Sequence, residues 1–323
     1  MKKIITITGA GGTVGLILVE HFLGLGRNIE VRAIERSEIA MSNLIDISRN
    51  SSNLKNFLID LNSSVDLEDV IKGSDVIIHC AALKHVSVGA TFPEELAIQN
   101  VCSFGNIVRL AKKYEVKKVL LCSTDKAATP TSVMGASKLL LEKIVCFSSN
   151  KKTAFAAVRF GNILNSSGSI IPKIISRLNK KEDIKIVDNK MTRYVLLHTD
   201  VIKLIEYALH KMKGGEIFIP NVNSVMIVDL VKTIVEIFCE KNNLSKEKIK
   251  ILTGENLYKE NVNERMANFD ELSFLFESDG YFILDMNGKN YGKSCKQINI
   301  PSSEKNTISK EEIKELLIKL KII

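Results

Sequence analysis

Ser123-Thr124-Asp125-Lys126, followed by Met134 and Lys138, gathers two hydroxyls, a carboxylate and two ammonium groups in one short stretch. The run comes directly after an apolar strand, Val119 to Cys122. In an open parallel sheet, side chains at that point emerge at the carboxyl end, where ligands bind. An acid and an amine on adjacent residues of a partly dry cleft can share acid and base work, once burial and mutual attraction retune them. The plain alternative is a surface turn whose Asp and Lys face water. Met134 and Lys138 stand four apart at the start of a helix and so face one side of it. Methionine has no titratable proton, so any base at this site has to be another group.

The elements that would position these residues begin with a buried strand from Lys3 to Thr8, which runs into Gly9, Gly12, Thr13, Val14 and Gly15 and then an apolar helix. Between a first strand and a first helix, such glycines permit a tight turn and close approach of backbone to a pyrophosphate on the helix N-terminus. A dinucleotide cofactor, NADP or NAD, is therefore expected. A second strand, Ile29 to Ile34, ends in Glu35-Arg36. Glu35 can accept hydrogen bonds from the adenosine ribose and argues for NAD, whereas Arg36 can hold a 2'-phosphate, so both cofactors stay open. Leu54 to Ile59 is a third strand with Asp60-Leu61 where an adenine would lie. Asp75 to Cys80 is a fourth, and Ala81-Ala82 are small enough for a ribose and phosphate to pass. Lys84 either meets a phosphate or is solvated, and His85 receives no role.

Pro93 to Glu115 reads as one long helix, with strands at Lys117 to Cys122 and Thr153 to Phe160 around a helix from Val133 to Phe147. The alternation predicts an α/β fold with a doubly wound parallel sheet. After Phe160 a polar loop, Gly161 to Ser169, could close over a ligand. Helices at Ile171 to Asn179 and Thr199 to Lys211 and a strand at Glu216 to Ile219 follow, then mixed elements and a last helix from Ser309 to Leu320. We place the dinucleotide-binding domain at 1–165 plus about 200–222, and a smaller substrate-binding lobe at 166–199 and 223–323.

With 323 residues and 45% hydrophobic content, the chain can bury a large core. A net charge of +8 is spread along the sequence, which has no Trp and no basic stripe interleaved with aromatics, so nucleic acid is not an expected partner. The six cysteines form no CxxC pair and no zinc spacing, and no metal is expected. No apolar run has the length of a signal peptide or a membrane span, so the expectation is a soluble, cytoplasmic protein without membrane contact.

Several of these motifs together resemble the UDP-N-acetylglucosamine 4,6-dehydratases of polysaccharide biosynthesis, in the extended branch of the short-chain dehydrogenase/reductase superfamily with its Rossmann sheet. The likeness is carried by the glycine loop, Ala82-Leu83-Lys84-His85-Val86, Ser123 to Lys126, Pro130 with Met134-Gly135-Ala136-Ser137-Lys138, Gly161-Asn162, Gly168-Ser169, Met191-Thr192-Arg193 and Gly214 to Phe218. In that superfamily the partner of Lys138 is normally a tyrosine at position 134, acting as base. The resemblance implies transient oxidation at C4 of the sugar, removal of the C5 proton by Lys126, protonation of the departing C6 hydroxyl by Asp125, and return of the hydride to C6. It further implies that Thr124 and Ser123 polarise the C4 carbonyl and that Lys138 orients the nicotinamide ribose. Asn162, Ser169, Arg193, Glu255 and Lys84 would meet the nucleotide sugar, and the protein would be a homo-oligomer.

Two departures stand out. The family usually has an arginine before Gly254-Glu255 and a lysine after it, where this chain has Leu252 and Asn256; Lys250 or Arg265 are the candidate replacements. The glycine loop, Val133 to Lys138 and Asn165 to Ser169 look like the branch that retains configuration at C5. The tail from Ile298 to Leu317 looks like the branch that inverts it, and inversion is the expectation. A UDP-sugar 4-epimerase, which would be expected to keep the tyrosine, and a non-catalytic dinucleotide sensor or scaffold are the rival readings.

Overall fold

The computed structural model describes residues 2–245, 249–288, 291, 293–294, 302–320 and 322. Cys295 and the start of the tail at Ile298 lie outside them. Six strands, β1 (Lys3–Thr8), β2 (Ile29–Glu35), β3 (Leu54–Leu58), β4 (Val76–His79), β5 (Lys118–Thr124) and β6 (Ala154–Phe160), lie in the order β3-β2-β1-β4-β5-β6. All of these pairings are parallel, and the strand Glu216–Pro220 joins β6 in the same sense. The order reverses between β1 and β4, which opens a crevice at the carboxyl ends of both strands.

The inner strands β4, β5 and β6 read as near-continuous apolar runs because helices cover both faces of the sheet. On one face Leu18, Val19 and Phe22 of helix Thr13–Gly24 pack with Val201, Leu204 and Ile205 of helix His198–Lys211. On the other, Phe104, Ile107 and Leu110 of helix Ser103–Lys113 pack with Leu141 and Val145 of helix Val133–Ser148. The long helix expected over Pro93 to Glu115 is divided: Pro93–Ala97 and Ser103–Lys113 flank a wide π-helical turn at Ile98–Cys102. The cause is Asn100, fully buried in that turn. Its amide accepts from the Leu83 N–H at 2.8 Å and donates to the Leu83 carbonyl at 3.2 Å and to Ser137 Oγ at 3.1 Å. One extra residue in the turn aims this side chain at the crevice wall, a use for which π-bulges are known.

The last third of the chain does not form a separate lobe throughout. Strand Tyr281–Asp285 adds antiparallel to Glu216–Pro220, followed outward by Leu275–Ser278 and Lys293–Ser294, so the large sheet has ten strands among the described residues. This stretch falls within the segment 223–323 expected to form the substrate-binding lobe and pairs with the large sheet. Helices Ile170–Asn179, Ile227–Asn242 and Lys310–Lys319 do make a second core, around Leu164, Ile174, Leu230, Ile234 and Leu317. Ser309 caps the last helix rather than entering it, in a reciprocal pair with Glu312 at 3.2 and 2.8 Å.

Candidate active site

A cavity of about 550 Å³ runs along the carboxyl ends of β1 to β6. Gly9, Gly12, Thr13, Val14, Gly15, Glu35, Arg36, Leu61, Ala81, Ala82 and Lys84 line one end, and Ser123, Thr124, Lys126, Met134, Lys138 and Asn162 the other. The glycine end is built by close approach of backbone. Gly9 has φ +64°, and a Cβ there would stand 2.7 Å from Ala81 backbone atoms; one at Gly15 would stand 2.3 Å from the Gly9 carbonyl. Gly12 precedes helix Thr13–Gly24 without a capping side chain, so no side chain competes for the amides of the first turn. That suits a pyrophosphate, and the residues present fit a dinucleotide.

Glu35 ties this end together. Its carboxylate accepts from the amides of Gly11, Arg36 and Ser37 at 3.0, 2.9 and 3.0 Å. Arg36 lies 3.7 Å from Asp60 and 3.8 Å from Glu95, so two carboxylates already flank its charge. Asp60 itself stays outside the lining and accepts from the Asn62 amide at 2.8 Å, while Leu61 and Ile59 supply apolar wall.

At the reacting end, Ser132 caps helix Val133–Ser148, accepting from the Gly135 amide at 3.1 Å, which places Met134 and Lys138 on the cavity wall. Gly135 lets the helix close on β5's end, since a Cβ there would lie 2.6 Å from the Lys126 carbonyl. Lys138 donates to the Cys122 carbonyl at 2.9 Å, and burial pushes its pKa below the ordinary lysine value. Ser123 donates to Glu142 at 2.6 Å and Thr124 to Asp125 at 3.0 Å. Lys126 reaches Asp125 at 3.1 Å and Glu264 at 3.4 Å. Burial works to lower the pKa of Lys126, but the two carboxylates outweigh it and leave it raised, so the resting amine is an ammonium ion. Asp125 is fully buried behind Lys126 rather than on the cavity wall, and its Oδ2 has no hydrogen-bond partner among the described residues.

The loop after β6 folds across the glycine loop. Lys84 donates to the Ser167 carbonyl at 3.0 Å and the Ser167 amide to Thr13 Oγ1 at 3.1 Å. Gly168, with φ +72°, passes so near His85 that a Cβ would come within 2.8 Å of its ring. Ser169 precedes helix Ile170–Asn179 and lines the cavity with its Oγ unpartnered among the described residues. Arg193 and Glu255 are not brought to the cavity. Arg193 is buried and donates to the Thr192 and Val262 carbonyls at 2.8 and 3.1 Å and to Glu260 at 3.1 Å. Glu255 and Lys250 are exposed, and Arg265 lies over the Phe269 ring at 5.2 Å, so none of the three is on the lining. Residues that sequence reasoning passed over are Asn100, Glu142 and Glu264. Glu142 stands four positions after Lys138, one helical turn on, and that spacing is the only local signal among them.

A family model described as a polysaccharide biosynthesis protein matches residues 5–275. The chain is 34% identical to an uncharacterised membrane protein of Methanocaldococcus jannaschii, over 98% of this chain and 95% of that one. It is 31% identical to a UDP-glucose 4-epimerase of Rickettsia felis, over 99% and 96%. Among solved structures, Pen from Bacillus thuringiensis superposes with a TM-score of 0.93 at 28% identity, covering 100% of this chain and 98% of that one. A dTDP-glucose 4,6-dehydratase from Bacillus anthracis in complex with NAD shares the fold, with a TM-score of 0.67 at 20% identity over 78% and 85%. No helix among the described residues is long and apolar enough to cross a membrane. Matched over most of its length, with a Rossmann-type sheet and a glycine-built crevice, the chain belongs to the polysaccharide biosynthesis protein family and is similar to nucleotide-sugar epimerases and dehydratases.

Proposed function

We propose that the protein is a UDP-N-acetylglucosamine 4,6-dehydratase that inverts C5 and yields a 6-deoxy-4-keto amino sugar. The observation that carries this reading is Lys126, an amine on the cavity wall backed by a buried carboxylate, in a lining that has Met134 in place of a tyrosine base. NAD or NADP, when bound, supplies reversible uptake of the C4 hydride. The two carboxylates beside Arg36 would repel a 2'-phosphate, which supports NAD. Lys138 orients the nicotinamide ribose. Ser123 and Thr124 already donate to Glu142 and Asp125, so they first offer lone pairs to a C4 hydroxyl. Lys126 takes the C5 proton; Asp125, a carboxylate at rest and buried behind Lys126, would take up the C4 hydroxyl proton through Thr124 as the hydride leaves and pass it back through Thr124 to the leaving C6 hydroxyl. Lys84, Asn162 and Ser169 would meet the diphosphate of the sugar nucleotide. Arg193 and Glu255 would join them only after a rearrangement.

The match to a UDP-glucose 4-epimerase supports a second reading, epimerisation at C4. A third, retention at C5, shares every step but the last proton delivery. Incubation with UDP-N-acetylglucosamine in deuterated water, followed by NMR, separates them. A new C6 methyl signal indicates dehydration and a galacto product epimerisation, while the C5 couplings report inversion or retention. No change at all would reject both enzymatic readings. Lys126→Ala is expected to abolish elimination while leaving cofactor binding intact, and unchanged turnover would remove Lys126 from the mechanism. We also propose a cytoplasmic homo-oligomer. Val133, Leu140 and Phe147, seven apart on one helix, are 41%, 48% and 73% exposed and would form its seam.

A further inference from the structure

Lys126 presents a difficulty for the proposed chemistry, because an ammonium ion cannot remove a proton. We propose that Glu264, from the C-terminal part of the chain, is the positioning residue for Lys126: it fixes the amine at the cavity wall and takes up its proton while the amine acts as base. The inference rests on the dehydratase reading above.

The geometry supports it in three ways. Lys126 is the member of its cluster that reaches the cavity: its side chain is 16% exposed, against 0% and 1% for Asp125 and Glu264, which stand behind it. Glu264 is held independently of Lys126. Its amide donates to Ser303 Oγ at 2.9 Å, its carbonyl accepts from the Ser303 amide at 3.0 Å, and its Oε2 accepts from Asn261 at 3.3 Å. Asn261 in turn donates to the Thr129 carbonyl at 3.0 Å, just beyond Lys126 in the chain, so the two segments are tied together. Finally, Arg193 does not account for Glu264. Its Nε is 4.0 Å from the carboxylate, farther than Lys126 at 3.4 Å, and its other donors serve Glu260 and two carbonyls.

The charged groups around the pair are Asp125, Arg193 and Glu260, with Tyr194, Arg265 and Glu304 beyond. Burial raises the proton affinity of Glu264 against the pull of Lys126, which suits it to receive a proton. In the step itself, an N–H bond of Lys126 breaks and an O–H bond forms on Glu264, so an ion pair becomes a neutral amine and a neutral carboxyl. The amine then takes the C5 proton, and the C–H electron pair passes into the enolate of the 4-ketone. No charge crosses to solvent in either step.

The test is the pH profile of methyl-signal formation in wild type, Glu264→Gln and Lys126→Ala, with NAD binding followed by fluorescence to show that each variant is folded. Glu264→Gln is expected to lose on the order of 10²-fold at neutral pH. It should recover at alkaline pH, where solvent deprotonates the amine. A loss by one factor at every pH marks Glu264 as structural and overturns the inference, as does a wild-type profile or a gain at neutral pH. Should Glu264→Gln not fold, Glu264→Asp keeps the charge with a shorter reach. It is expected to show the same alkaline recovery in smaller measure, and a wild-type profile there overturns the inference equally. If Lys126→Ala retains turnover, the parent reading of Lys126 falls. If it is inactive while Glu264→Gln is unaffected, only the role of Glu264 falls.

Discussion

Ser123 and Thr124 are consecutive residues at the end of β5, and each donates its hydroxyl proton to a buried carboxylate, yet the two carboxylates are held very differently. Glu142, behind Ser123, also accepts from Arg159 Nε at 3.0 Å and from Arg159 Nη2. The rest of that guanidinium is spent on Glu271 at 2.9 Å, through both Nη atoms, and on the Met266 carbonyl at 2.8 Å. Asp125, behind Thr124, has one oxygen shared between Thr124 and Lys126 and the other without a hydrogen-bond partner among the described residues. The Glu142 carboxylate is thus held by an arginine that is itself fully engaged, whereas Asp125 backs onto Lys126, which reaches the cavity wall. Adjacent positions of one strand lead to a fixed support and to the amine proposed to react.

The sharpest way to break this contrast is to neutralise each carboxylate in turn. Asp125→Asn should lower turnover by roughly 10²- to 10⁴-fold with little change in urea unfolding, whereas Glu142→Gln should do most of its damage to stability. Equal losses of turnover in both variants would erase the distinction. Next in size, Arg159→Leu leaves Glu142 and Glu271 buried without their shared cation and should cost about 3–5 kcal/mol in chemical unfolding. A cost below about 1 kcal/mol would mean the clamp is incidental.

The smallest effect concerns pH. The folded state raises the pKa of Glu264 above the ordinary 4.5, burial being the largest cause, so it binds that proton more tightly than the unfolded chain does. Stability from this group is therefore present below 4.5 and lost as pH climbs through the raised folded value. Lys126 carries the same sign at higher pH, its contribution present below the ordinary 10.5 and lost as pH rises through its own raised value. Glu264→Gln should weaken the fall in melting temperature as pH rises above 4.5, and an unaltered slope there would contradict the assignment.

What could be read from the sequence follows from how far apart the interacting residues are. Strands β1 to β6 fall within one or two residues of their expected limits; β4, β5 and β6 are largely apolar runs buried on both faces, and the more polar β2 and β3 still carry enough apolar residues between charged or turn residues to be bounded. The glycine loop was legible for the same local reason. The wide turn at Asn100 was not, since its cause is a hydrogen bond to Leu83 seventeen positions away. Likewise Arg159 meets Glu271 across 112 positions, and nothing local to either residue marks the partner. Arg193 illustrates the converse. A motif match puts it beside a diphosphate, while the structure shows its donors already engaged by Glu260 and main-chain carbonyls.

The hairpin formed by Leu275–Ser278 and Tyr281–Asp285 has a practical consequence for anyone trimming this protein. The family match stops at residue 275, where the hairpin begins. A fragment cut there would strip the neighbour from Glu216–Pro220, a strand whose five residues are all buried in the intact chain. Its unpaired amides and carbonyls would then face water along an apolar rim, and such a fragment should precipitate or pair edge to edge instead of surviving as a minimal catalyst.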